Sequence, residues 1–194
     1  MTVSANIGSS SLRSRQIIDG THQPVTRDYT AVADQGVLRA GLLVSRNAGD
    51  EVIPYQGGVQ EVIGTGDGSI MAFDGVATGG MIHPGSITIT DGTQVLTDDG
   101  RGALGGDGSG SVNYKTGKVS VTFDAAPGAG VDVSIIWANR LVGVLLREMD
   151  TATNHAALVI VHGTVVKDGL LLSDDTTPSQ TDIDRLVELT IYPR

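Results

Sequence analysis

The sequence predicts a mainly β chain: a small β-rich domain with one short C-terminal helix, interrupted by an inserted β domain of sandwich or barrel type. Three observations carry this prediction. Twenty-seven glycines among many Val, Ile and Thr residues mark short strands broken by frequent turns. Apolar runs near the C-terminus, such as "LVGVLL" and "AALVIV", are nearly continuous, whereas those in the middle alternate with polar residues. A 3.6-residue period is missing from the middle of the chain, and only the stretch from Thr177 reads as a helix.

Residues 1–30 are polar and aperiodic, with Arg13, Arg15 and Arg27 and a single apolar pair, Ile17-Ile18. Such a segment buries too little surface to offset its ordering entropy, so it reads as a flexible arm. From Val37 onward, "VLRAGLLVSRNAGDEVIPYQGG" gives two apolar strands around the turn Asn47-Ala48-Gly49-Asp50. Residues 59–139 then supply about seven short strands at regular spacing. Ser86–Thr90 turns through Asp91-Gly92 into Gln94–Thr97, a strong hairpin signal. Ser111–Tyr114 and Val119–Phe123 form a second hairpin, and Val131–Ile135 alternates once more.

Between these hairpins lies "DDGRGALGGDGSG", which contains a literal G-x-G-x-x-G from Gly100 to Gly105. A phosphate loop needs a helix after it, and none follows here. Asp98, Asp99 and Asp107 lack the EF-hand spacing with its terminal Glu, and Asp is a favoured turn residue. The stretch reads as a bend. Beyond Asn139 the near-continuous apolar runs indicate strands buried on both faces. Thr177 as N-cap and Pro178 at the first position open the helix, with Ile183, Leu186 and Val187 as its apolar stripe, and "VELTIYPR" ends as a strand.

Composition narrows function more than any motif does. Twenty-two acidic residues against 13 basic ones give a net charge of −9, which disfavours nucleic acid as a partner. The longest apolar run, Ala156–Val161, is far too short to span a bilayer, so no membrane partner is expected, and no secretory leader is visible. The chain has no Cys, which removes disulfides and thiolate chemistry and fits a protein made in a reducing cytoplasm. His22, His83, His155 and His162 show no metal-ligand spacing, with His155 and His162 read as flanking a buried strand at turns. Neither a nucleophile elbow nor a nucleophile beside a base is legible, so no enzyme activity, cofactor or metal is expected. Trp137 reads as a core or hinge anchor.

The organisation that follows is an arm at 1–30, an outer domain made of 31–58 plus 140–194, and an insert at 59–139. Insertion requires that the insert's ends lie together, so Gln60–Ile63 and Ser134–Trp137 are expected to pair antiparallel. The outer part, "AGLLVSRNAGDEVIPYQGG" joined to "RLVGVLLREMDTATNHAALVIVHGTVVKDGLLL", resembles the head decoration proteins of tailed phages, the lambdoid capsid-stabilising type. The insert, through "GDGSIMAFDG" and "PGSITITDG", resembles an immunoglobulin-like module of phage virion proteins. The resemblance implies a homotrimer on the outer capsid surface, the major capsid protein as partner, and an arm that orders on the shell. Arg13 and Arg15 then serve equally well as capsid contacts or as solvated charges, while Ile17 and Ile18 lean towards contact. The alternative is an adhesion or glycan-binding module of a phage tail or surface protein.

Overall fold

The computed structural model describes residues 17, 18, 20 and 22–194. Among the described residues the chain is mainly β, with one short α-helix near the C-terminus. It begins with β1 (Val25–Thr30), β2 (Val37–Leu38), β3 (Leu43–Arg46) and β4 (Val52–Pro54). The middle holds β5 (Val59–Thr65), β6 (Ala72–Val76), β7 (Thr88–Thr90), β8 (Val95–Asp98), β9 (Ala103–Gly106), β10 (Gly108–Val112), β11 (Lys118–Phe123) and β12 (Asp132–Trp137). Last come β13 (Leu141–Leu145), β14 (Met149–Asp150), β15 (Ala156–Val165), α1 (Gln180–Glu188) and β16 (Ile191–Pro193).

Strands from the two ends of the chain build one sheet in the order β1-β15-β13-β3-β4, with β16 parallel to β15. A parallel bridge between Ala31 and Val52 brings the end of β1 to β4, so the sheet curls until its outermost strands meet. Both faces are covered. Neighbouring residues therefore point into different cores yet are equally buried: Val144 faces Leu186 and Ile191 of the C-terminal segment, while Leu145 faces Ala157 and Leu171 inside the curl. This two-sided burial is the physical reason for the unbroken apolar runs.

All eight middle strands form a second sheet, ordered β5-β12-β7-β8-β9-β10-β11-β6. Here one face only is buried, and β11 shows it most plainly: Val119, Val121 and Phe123 point inward, Lys118, Ser120 and Thr122 outward. The end strands β5 and β6 approach each other without a ladder, because Gly64 and Gly75 leave room for Phe73 and Ile63 across the seam. Thr78 closes one end by hydrogen bonds from its amide and hydroxyl to the Glu61 carboxylate.

Several expectations need correction. The order β7 to β11 is an up-and-down meander within one curled sheet, which departs from the two-sheet Greek key of an immunoglobulin-like sandwich. The glycine-rich stretch is not merely a bend, since Ala103–Gly106 is strand β9, laddered to β8 and β10. A side chain at Gly106 would lie 2.4 Å from the Val95 carbonyl oxygen, so glycine is what lets these backbones come together. The arm is shorter than 30 residues: β1 pairs antiparallel with β15, an edge strand held by its ladder rather than by its own burial. The helix is capped by Ser179 instead of Thr177, because Ser179 and Asp182 form a reciprocal capping box. Val187 is exposed, leaving Ile183 and Leu186 as the buried stripe.

Candidate functional site at the N-terminal seam and the neck

Two places join otherwise separate parts of the molecule. One is the neck, where the eight-stranded unit leaves the six-stranded one. The other is the seam along which the N-terminal segment lies against β15.

At the neck, β5 and β12 pair antiparallel from Val59–Trp137 to Thr65–Asp132, as the insertion geometry requires. Just below, Asn139 N–H donates to the Gln56 carbonyl at 2.9 Å, so the two crossing segments touch. The loop after β6 reaches back to the first unit: Met81 N–H donates to the Arg46 carbonyl at 3.0 Å, and Arg140 N–H to the Met81 carbonyl. Asn139 is fully buried and its amide donates to the Gly79 carbonyl at 2.6 Å. Trp137, 1% exposed, packs in the core of the eight-stranded unit at the neck, the position expected of an anchor. Below it, Tyr55 donates to Asp182 Oδ1 at 2.7 Å, and Arg185 donates to the Tyr55 oxygen. Burial, and then the bond to Asp182, hold the Tyr55 phenol well above the ordinary range, so it stays a donor. This trio, with Tyr55 and Asp182 buried and Arg185 partly so, ties α1 to the segment leading into the insert.

At the seam, Ile17 is 3% exposed and sits in the core formed with Val165, Ile183 and Leu186. Ile18 bridges Val165, and Val166 N–H donates to the Ile17 carbonyl at 2.9 Å. These two residues were expected at the capsid; Ile17 is instead enclosed by its own chain. Its burial anchors the start of the seam. Arg13 and Arg15 lie outside the described residues. Further along, His22 N–H donates to the Thr164 hydroxyl at 3.1 Å, and the His22 ring meets the His162 ring edge to face, with Nε2 atoms 3.1 Å apart. His162 is thus inside β15 rather than at a turn. A bulge places it there, because Val25 pairs with His162 while Thr26 pairs with Ile160. Gly163, at φ +121°, lets Pro24 pass over the strand. His22 and His162 are 140 positions apart, so linear spacing held no signal of their pairing.

The acidic loop is occupied with its own backbone. Asp99 accepts from the amides of Arg101 and Ala103, which hold its carboxyl below the usual range. Asp107 accepts from Val95 N–H, and Asp98 from Gly85 N–H and the Tyr114 hydroxyl. Burial and the Asp98 carboxylate push the Tyr114 phenol up to about 12. Among the described residues no group of three or more His, Asp or Glu could hold a metal ion, and no helix is long and apolar enough to cross a membrane. No protein family, curated protein or solved structure matches this chain.

Proposed function

We propose that this chain is a structural virion protein that coats the outer surface of a phage capsid as a homotrimer, stabilises the head through the major capsid protein, and projects its eight-stranded unit outward. The observation that carries this reading is the neck. Two units with separate cores meet at one neck, where the incoming and outgoing segments touch and the loop after β6 reaches back to Arg46, which is the construction of a body bearing a projection. Charge supports the same division. The segment 59–139 holds nine carboxylates against three cations, six of the nine net negative charges. Like charges on neighbouring projections repel and stay solvated, which keeps coated particles apart.

Attachment is assigned to residues 1–16, which carry Arg13 and Arg15 and no acidic residue, on a chain that is otherwise anionic. Ile17 and Ile18 hold that segment to the body. Three such segments on one trimer gain effective concentration, which raises avidity by about 10² to 10⁴ without new contacts.

Deleting residues 1–16 tests this assignment, since the cut spares Ile17, Ile18 and β1. The truncated protein should keep the trimer's mass and its thermal transition yet fail to co-sediment with expanded heads. Saturation of heads with unchanged affinity would remove the arm from the mechanism. Replacing 59–139 by a short Gly-Ser linker should leave trimer and head binding intact, because the chain enters and leaves the eight-stranded unit side by side, as the Asn139 N–H on the Gln56 carbonyl shows in the intact protein, so a short linker spans the gap.

An open cleft of about 550 Å³ on β6, β10 and β11, where Asp74, Ser111, Asn113 and Lys118 border an apolar floor that includes Val76 and Val119, favours a second reading of the outer unit as a glycan-binding module. Binding of full-length protein, but not of the Gly-Ser replacement, to host-cell glycans would support it.

A further inference from the structure

We propose that His22 and His162 form a two-histidine binding site for a divalent late first-row transition metal, with Zn²⁺ as the reference ion, and that the bound ion clips the N-terminal segment to β15. Their Nε2 atoms stand 3.1 Å apart in rings inclined at 75°. Two imidazoles on a tetrahedral Zn²⁺, each at about 2.0–2.1 Å, place their nitrogens about 3.3 Å apart. A shift of a few tenths of an ångström therefore exchanges the present hydrogen bond for a chelate.

The surroundings set the proton positions that a ligand needs. The Thr190 hydroxyl has one proton, which it donates to the Leu189 carbonyl. With its proton there, the hydroxyl accepts from His162 Nδ1, 2.7 Å away, in the tautomer that leaves Nε2 as a lone pair. Fixing of the non-ligating nitrogen by a hydrogen bond is the habitual support of a metal-bound histidine. Thr190 holds this place at a conformational cost. It has φ +62°, just past the end of α1, where glycine is the usual residue and a β-branched side chain is strained. Its hydroxyl is what glycine would lack.

The backbone beneath both imidazoles is also held in position before any ion arrives. His22 is fixed by its amide and carbonyl on the Thr164 hydroxyl, at 3.1 and 3.3 Å, and His162 by the bulge in β15. His22 needs only to carry its own proton on Nδ1 for both lone pairs to face the ion. The pair is open to solvent, so water completes the coordination sphere. Neutral imidazole suits Zn²⁺, Ni²⁺ and Cu²⁺ far better than Mg²⁺ or Ca²⁺, and the site should discriminate accordingly. Affinity should fall on acidification, since a protonated imidazole cannot ligate.

Calorimetric titration of the full chain with Zn²⁺ tests the site, with histidine NMR resonances as a second readout. The expected result is one ion per chain, with the ring signals of His22 and His162 shifting together. His22→Ala and His162→Ala should each abolish that binding, while a His83→Ala/His155→Ala double variant should retain it. Thr190→Gly relieves the backbone strain but removes the hydroxyl, and should weaken binding about tenfold, the lower end for loss of such a supporting bond. His22 lies on the exposed seam, so His22→Ala remains informative even if His162→Ala fails to fold. No saturable binding at millimolar Zn²⁺, binding unchanged in His22→Ala, or binding lost in the His83/His155 variant would each overturn the proposal.

Discussion

The six-stranded and eight-stranded sheets solve the same problem, burying enough apolar surface to hold a curled sheet, in opposite ways. In the first, Leu43 and Val44 are adjacent on β3 and both fully buried, one under α1 and the C-terminal segment, the other inside the curl. The second covers one face only, so polar residues alternate along β11 and the outer surface is left to solvent. Two covers allow the first sheet to tolerate short strands such as β4 and β16, because packing replaces ladder length. The second sheet depends on its ladders and turns, and its turn carboxylates are engaged with backbone amides. The lesson is that stability in one unit rests on side-chain packing and in the other more heavily on backbone pairing.

Core truncation should separate the two units most sharply. Ile135→Ala in β12 and Ile160→Ala in β15 each remove a fully buried side chain, at a cost of about 2–5 kcal/mol. Ile135→Ala should lower only the transition of the eight-stranded unit in calorimetry. Ile160→Ala should lower that of the six-stranded unit. A single shared transition that moves equally in both variants would show that the neck couples the cores into one cooperative block.

Ile17→Ala comes next, with an expected loss of about 2–4 kcal/mol against the six-stranded unit and none against the other. Hydrogen exchange should show faster opening of the seam alone. Unchanged protection at Val165 and Val166 would mean that Ile17 contributes little to holding the segment.

Ser179→Ala removes one half of the capping box and should cost about 1 kcal/mol, seen as earlier loss of α1 and of the Tyr55–Asp182 contact. An unchanged midpoint in denaturant would indicate that the Tyr55–Asp182–Arg185 trio, rather than the cap, fixes the helix.

The smallest effect is on pH dependence. Backbone amides hold the carboxyls of Asp67 and Asp99 below the usual range, and the Thr176 hydroxyl followed by its amide does so for Asp174; for Asp91 burial acts the other way, and the Gln94 and Thr93 contacts outweigh it. A depressed folded-state pKa contributes stability that is present above the ordinary carboxylate range and is lost as pH falls through the depressed value. Three of these four residues belong to the eight-stranded unit. Its transition should therefore drop more than that of the six-stranded unit below about pH 4. Equal acid sensitivity would blur the distinction between a packed sheet and a turn-stapled one.

Much of the second unit was legible because its physics is local. Asp91-Gly92 between alternating runs specifies a hairpin, and Val119, Val121 and Phe123 declare their face without reference to anything distant. The strand β9 escaped because glycine has poor strand propensity, and only the close approach of β8 and β10 gives it a reason to be there. Strand β1 escaped for a related reason: its residues are half exposed, and its order comes from β15, more than a hundred positions away.

The sequence by itself determined the β class, the single C-terminal helix, the two textures of apolar patterning and the segregation of acidic charge, all properties read within a few residues. Only the tertiary structure decided that Ile17 is enclosed, that Tyr55, Asp182 and Arg185 meet at the neck, and that His22 lies against His162. Each of those depends on a bulge, a left-handed residue or a curl of the sheet that brings distant positions together, and none leaves a trace in local spacing.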